Sequence, residues 1–170
     1  SIRSDAVTGK LLAISGGHRF DADAFASMLD ATCETLGWNW THETQPDAQQ
    51  WLRGEHADEW DAILLHDLPG LGLARGAEPV PTDPSPEVRQ GVTDLIAAGV
   101  GIVATHHALA GWPTWDRWAG VLGGRFLYAP GRLHGADVPA SGYRMDTYRV
   151  LPVAGHPVCD GVEPFELTDE

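Results

Sequence analysis

Short apolar segments alternate with longer amphipathic segments along this chain. Residues 10–15, 61–65 and 102–105 are mostly apolar runs without alternation, which is typical of parallel strands covered on both faces. Residues 38–42 alternate between apolar and polar side chains and predict another strand. Segments with helical periodicity separate these strands. The sequence therefore predicts an α/β protein with a doubly wound sheet in a single domain, residues 1–170.

The helical segments each predict one buried face. The face of the helix over residues 21–36 is predicted to consist of Phe25, Met28, Leu29, Cys33 and Leu36. The helix that begins at Ser85 is predicted to bury Val88, Val92, Leu95 and Ile96. A third helix is expected between Pro113 and Gly123, followed by strands at residues 125–128 and 148–153.

Three of the predicted strands end in turns that carry histidine. His18 follows the first strand, His66 ends the third, and His106 and His107 follow the strand at residues 102–105. In an open parallel sheet the carboxyl ends of the strands lie at one edge, and ligands bind outside that edge. We therefore expect the four imidazoles to share one crevice.

Charge and length exclude several classes of partner. The net charge is −13, with only 11 lysines and arginines and no basic run. Nucleic acid and anionic membranes both require a positive patch, so neither is an expected partner. No apolar run approaches the roughly 20 residues of a membrane-spanning helix. The two cysteines lie far apart in the sequence and form no disulfide framework, which favours a reducing compartment and a cytoplasmic location.

Several short segments occur in a specific order and spacing. They are residues 61–70, 99–108, 111–113, 123–126, 141–143, 156–158 and 169–170. Together they resemble the ThuA-like (trehalose-utilisation) family of the class I glutamine amidotransferase-like superfamily, over nearly the whole chain. The resemblance implies a flavodoxin-like three-layer α/β/α sandwich with a mostly parallel sheet, and a role in carbohydrate metabolism. Family members commonly continue beyond the Asp-Glu pair, so this chain is expected to be short at its C-terminal end.

Amidotransferase activity is not expected. Glutamine amidotransferases carry a nucleophilic cysteine at the turn after the strand that corresponds to residues 102–105, on an elbow that exposes it. That position is Thr105 or His106 here, and no cysteine is nearby. Without a thiolate the thioester of glutamine hydrolysis cannot form.

The histidines suggest two kinds of chemistry, because imidazole is both a general base near neutral pH and a metal ligand. Convergent histidines and carboxylates resemble a catalytic site for a divalent metal, with zinc preferred, that keeps one position open for water. The preferred ligands are His18, His106 and Glu170, with His66 and His107 as alternates. A metal-free His/Asp acid–base site is the open alternative.

The predicted catalytic residues are His106, His66 and Asp67. Asp67 is expected either to orient an imidazole or to bind a sugar hydroxyl.

The predicted substrate contacts are His107, Trp112 and Tyr143. Trp112 is considered as a stacking wall for a sugar ring, because it lies close to the histidine turn, although aromatic residues at helical spacing usually pack in a core.

These residues support two hypotheses about function. The first is a carbohydrate enzyme that acts on a sugar or on a keto-glycoside. A histidine or a metal-bound hydroxide would remove a proton made acidic by the ketone. The second is a non-catalytic sugar-binding or assembly module with the same fold. In both cases the expected partner is a small carbohydrate. The sequence is also compatible with a homo-oligomer.

Overall fold

A four-stranded parallel sheet forms the centre of the molecule. The structure is a computed structural model that describes residues 9–72 and 80–169. The sheet strands are Gly9–Gly16 (β1), Trp38–Thr44 (β2), Ala62–Asp67 (β3) and Gly101–Ala104 (β6), in the order β2-β1-β3-β6. All three pairings are parallel. The predicted parallel sheet is therefore confirmed.

Three α-helices accompany the sheet in the described ranges. They are Ala22–Leu36 (α1), Pro86–Ala97 (α2) and Asp116–Leu122 (α3). Asp21 begins α1 by accepting a hydrogen bond from the Ala24 backbone N–H, and Gly37 ends it in a left-handed conformation (φ 67°). Ser85 caps α2 in the same way, through the backbone N–H of Val88. These local signals explain why the predicted and observed helix ends agree.

The two faces of the sheet bury separate apolar clusters. Alternate β1 residues point in opposite directions, with Leu12 and Ile14 on one side and Leu11 and Ala13 on the other. The first pair packs with α2 and with the tryptophans around α3. The second pair packs with α1. Helices therefore cover both faces, and the fold is the expected flavodoxin-like α/β sandwich.

Several predicted details are wrong. Met28, Leu36 and Ile96 are 47%, 52% and 42% exposed, because the buried faces of α1 and α2 are narrower than the apolar stripes of the sequence. Val103 is 57% exposed, and the cluster beneath α1 contains no β6 residue. The run at residues 102–105 is therefore not covered on both faces.

Three small antiparallel pairs complete the described chain. They pair Leu71–Gly72 (β4) with Val80–Pro81 (β5), Gly131–Leu133 (β7) with Ala136–Val138 (β8), and Asp146–Val150 (β9) with Phe165–Asp169 (β10). The strand predicted at residues 148–153 is observed as β9, which begins two residues earlier and ends at Val150. Residues 125–128 are not a strand, because their backbone bonds run to the Leu109 carbonyl and the Ser141 side chain instead of a ladder. None of the described helices is both long and apolar enough to cross a bilayer.

Candidate functional site

The four imidazoles meet at the carboxyl edge of the sheet. The ring centroids of His18 and His66 are 5.0 Å apart, and those of His18 and His107 are 3.9 Å apart in a parallel stack. The rings of His106 and His107 are separated by 4.3 Å. The topology argument therefore places these side chains correctly, although dozens of residues separate them in the sequence.

The turn after β1 depends on glycine. Gly17 has a φ of 83°, and a Cβ atom at this position would lie 2.3 Å from the carbonyl oxygen of Leu68. The Leu68 backbone N–H also donates to the carbonyl of Gly16 at 2.9 Å. This close approach of two backbones directs the chain so that His18 lies over β3.

Both ring nitrogens of His18 contact backbone carbonyls. Its Nδ1 lies 3.0 Å from the carbonyl oxygen of Arg19, and its Nε2 lies 3.0 Å from that of His66. Carbonyl oxygens only accept hydrogen bonds, so both contacts are satisfied when both ring nitrogens carry a proton. A metal ligand needs a nitrogen lone pair, so a metal on His18 would replace one of these two carbonyl contacts. That His18 binds a metal stays a prediction.

His107 is an alternate metal ligand of the prediction. Its ring stacks on the ring of His18 with an interplanar angle of 2°. An imidazole binds a metal in the plane of its ring, and two parallel stacked planes do not share an ion. Across the part of the chain that the structure describes, no three His, Cys, Asp or Glu side chains are grouped to hold a metal. The third predicted ligand, Glu170, lies outside the described residues.

His66 lies behind His18, and hydrogen bonding fixes its tautomer. The Thr105 hydroxyl donates to the carbonyl of Leu65 at 3.2 Å, so its oxygen accepts from His66 Nδ1 at 3.0 Å. Burial, followed by the charge of neighbouring histidines, lowers the pKa of His66. The ring stacks on Phe25 with a centroid distance of 4.6 Å. His66 is therefore a neutral imidazole with its lone pair on Nε2.

Asp67 is buried beneath the histidines. Its side chain is 1% exposed, and Oδ2 accepts a hydrogen bond from Gln45 Nε2 at 2.8 Å. Oδ1 has no hydrogen-bond partner among the described residues. Burial raises the pKa of this carboxyl to about 6, opposed in part by the Gln45 hydrogen bond and the charge of His18. Asp67 is out of reach of a sugar hydroxyl, which corrects that part of the prediction.

His106 faces a carboxylate that the sequence analysis missed. Its Nδ1 lies 3.7 Å from Oδ2 of Asp169, and the two side chains are 48% and 35% exposed. Asp169 precedes the predicted acid Glu170, and the only sequence signal for it is this neighbouring position. The pair leaves His106 open to solvent with a carboxylate beside it, which is an arrangement that stabilises an imidazolium formed during proton transfer.

A cavity of about 760 Å³ lies between the histidines and the C-terminal hairpin. We call it the histidine cavity, and its lining includes His18, His106, His107, Tyr143 and Asp169. Its volume falls in the range of small-molecule sites. The predicted contacts His107 and Tyr143 thus lie at its wall.

Trp112 does not line the histidine cavity. Its side chain is 1% exposed and packs against Trp115 and Trp118. Its backbone N–H donates to the carbonyl of Pro69 at 2.7 Å, which holds the residue in the core. The interpretation of Trp112 as a stacking wall for a sugar is therefore wrong.

Comparison with known structures identifies the fold. The chain matches a solved structure described as a ThuA-like protein from Bacteroides uniformis, with a TM-score of 0.59 and a probability of 1.00. This chain has a ThuA-like fold. The likeness extends over 99% of this chain at 18% sequence identity, and the chain spans 61% of the length of that structure. No family model and no curated protein matches the sequence.

Proposed function

We propose that this chain is an enzyme of carbohydrate metabolism that performs proton transfer on a sugar or keto-glycoside in the histidine cavity. The observation that carries the proposal is the His106–Asp169 pair, 3.7 Å apart, at the wall of a cavity of about 760 Å³. The ThuA-like fold and the sequence resemblance to the trehalose-utilisation family support a carbohydrate substrate. The missing nucleophilic cysteine argues against glutamine hydrolysis.

The proposed reaction on a keto-glycoside begins with His106 as the base. The ketone acidifies the C–H bond of the carbon that lies between the carbonyl carbon and the anomeric carbon, and the neutral imidazole accepts that proton. The C–H electron pair forms the enolate, which then expels the glycosidic oxygen and leaves a carbon–carbon double bond. The imidazolium returns a proton to the departing oxygen. Water adds across the double bond in a later step.

Two side chains favour this sequence. The Asp169 carboxylate stabilises the imidazolium that forms on His106, and His18 at the cavity wall would stabilise negative charge on the enolate oxygen when it carries a proton on both ring nitrogens. His66 and Asp67 do not line the histidine cavity, so neither contacts the substrate in this scheme. The predicted ligand Glu170 lies outside the described residues, so no step is assigned to a metal.

The test is turnover of 4-nitrophenyl glucoside oxidised to its ketone, followed through released 4-nitrophenolate. His106→Ala is expected to lower kcat by a factor of about 100 or more, which is typical of losing a general base. Asp169→Asn is expected to lower it less. His134→Asn changes an exposed histidine in the β7/β8 turn, outside the cavity, and serves as the matched control. Full activity of His106→Ala would refute the mechanism.

Two further measurements separate the alternatives. Loss of activity with a chelator and its return with zinc would support the metal-dependent form of the prediction. Sugar binding without turnover would favour the non-catalytic sugar-binding module.

A further inference from the structure

The chain divides its aromatic residues between the core and the histidine cavity. It contains seven tryptophans and three tyrosines. All seven tryptophans belong to the two apolar clusters or pack against them. All three tyrosines, Tyr128, Tyr143 and Tyr148, line the histidine cavity. Tyrosine combines an apolar ring with a polar hydroxyl. It is therefore suited to a surface that a ligand buries and that water hydrates when the ligand is absent.

Two of the tyrosines are held in place by the surrounding structure. The Tyr128 hydroxyl donates to the carbonyl of Ala110 at 3.2 Å, and its ring meets Phe126 edge to face at 5.1 Å. Tyr148 lies in the middle of β9, opposite Leu167 of β10. They are 42% and 43% exposed, so each presents part of its ring to the cavity.

The hairpin places polar groups beside the Tyr148 ring. Directly opposed residues of an antiparallel pair share a face, so the pairing of Asp146 with Asp169 puts both carboxylates on the side of Tyr148. Asp146 also accepts a hydrogen bond from Arg144 at 2.8 Å. This side of the hairpin therefore combines an aromatic surface with acceptors and a guanidinium donor.

We infer that the tyrosine wall, Tyr128, Tyr143 and Tyr148 with the Asp146–Arg144 pair, is a sugar subsite. It would bind the ring of the glycoside that is not transformed, and this inference rests on the proposed function. A pyranose has a face of C–H groups and an edge of hydroxyls. The C–H face packs on a tyrosine ring, while carboxylate and guanidinium groups pair with hydroxyls. The ligand class is a neutral glycoside with a second ring beyond the one that faces His106.

Fluorine NMR on protein labelled with 3-fluorotyrosine tests this subsite directly. Since the chain has three tyrosines, three resonances are expected, and each is assigned by a Tyr→Phe variant. Cellobiose is the probe, and sorbitol is its control, because sorbitol has hydroxyls but no flat C–H face. Saturable shifts of the Tyr148 and Tyr128 resonances with cellobiose, absent with sorbitol, are the expected result.

Matched substitutions test whether cellobiose binding depends on the aromatic ring of Tyr148. Tyr148→Leu removes the aromatic face and is expected to weaken cellobiose binding by a factor of about ten, as for loss of one aromatic contact. Tyr148→Phe keeps the face and is expected to bind within about twofold of wild type. The control is Phe165→Leu, since Phe165 is on the same hairpin and 45% exposed but does not line the cavity.

The outcomes separate this inference from the proposed function. Shifts without turnover of the keto-glucoside would support the subsite and refute the enzyme. Unchanged resonances with cellobiose, in protein that turns over the keto-glucoside, would overturn the subsite and leave the enzyme in place. Equal responses to cellobiose and sorbitol, or equal losses from Tyr148→Leu and Phe165→Leu, would also overturn the subsite.

Discussion

Replacing Asp67 by asparagine tests whether ionisation of a buried carboxyl destabilises the folded protein. The side chain is 1% exposed, and burial raises its pKa to about 6 from an ordinary value of 3.8. At about 1.4 kcal/mol for each pH unit between those two values, ionisation costs the folded state roughly 3 kcal/mol. Asparagine keeps an oxygen that can accept the Gln45 hydrogen bond but carries no charge.

The sign of the pH dependence of stability follows from comparing how the folded and unfolded states bind the Asp67 proton. The folded state keeps the Asp67 proton to a higher pH than the unfolded chain does. The resulting stabilisation is therefore complete below about pH 4 and is lost as the pH rises through about 6. The paired surface carboxylates, such as Asp83 with its lowered pKa, act in the opposite direction, so the wild-type curve alone does not isolate Asp67.

Urea unfolding between pH 4 and pH 8, followed by tryptophan fluorescence, provides the measurement. The free energy of unfolding of Asp67→Asn minus that of wild type is expected to rise by up to about 3 kcal/mol between pH 4 and pH 7. Asp58→Asn, at an exposed position, is expected to give a flat difference. A flat or falling difference for Asp67→Asn would show that burial does not raise the pKa of this carboxyl.

Two further substitutions test the local geometry of the site. Gly17→Ala is expected to lower the free energy of unfolding by about 1–3 kcal/mol, because its Cβ would clash with the Leu68 carbonyl at a positive φ; urea unfolding checks this, and an unchanged midpoint would contradict it. Thr105→Val removes the hydroxyl that accepts from His66 Nδ1, so the ¹⁵N shifts of that imidazole should change from one tautomer to a mixture. Thr105→Ser should restore the single tautomer, and identical spectra for all three proteins would show that Thr105 does not select it.

Most of the sheet could be predicted from the sequence because its signals are local. Apolar runs mark β1 and β3, and the caps Asp21, Gly37 and Ser85 mark the helix ends. The degree of burial could not be predicted in the same way. Val103 has the apolar character of a covered strand residue, yet its exposure depends on how far α1 extends across the sheet, and nothing near residue 103 encodes that distance.

The candidate site also has a part that could be predicted from the sequence and a part that could not. The four histidines could be placed from topology alone, because each follows or ends a parallel strand and the tips of such strands share an edge. The opposite wall comes from the β9/β10 hairpin, whose position relative to the sheet is a tertiary property. Within a strand, adjacent side chains point to opposite faces, so the direction of the Asp169 side chain depends on the strand register. Asp169 pairs with Asp146 in that register, and its carboxylate lies 3.7 Å from His106 Nδ1. The sequence could therefore predict an acid near the end of the chain, but the contact between Asp169 and the imidazole depends on the hairpin pairing.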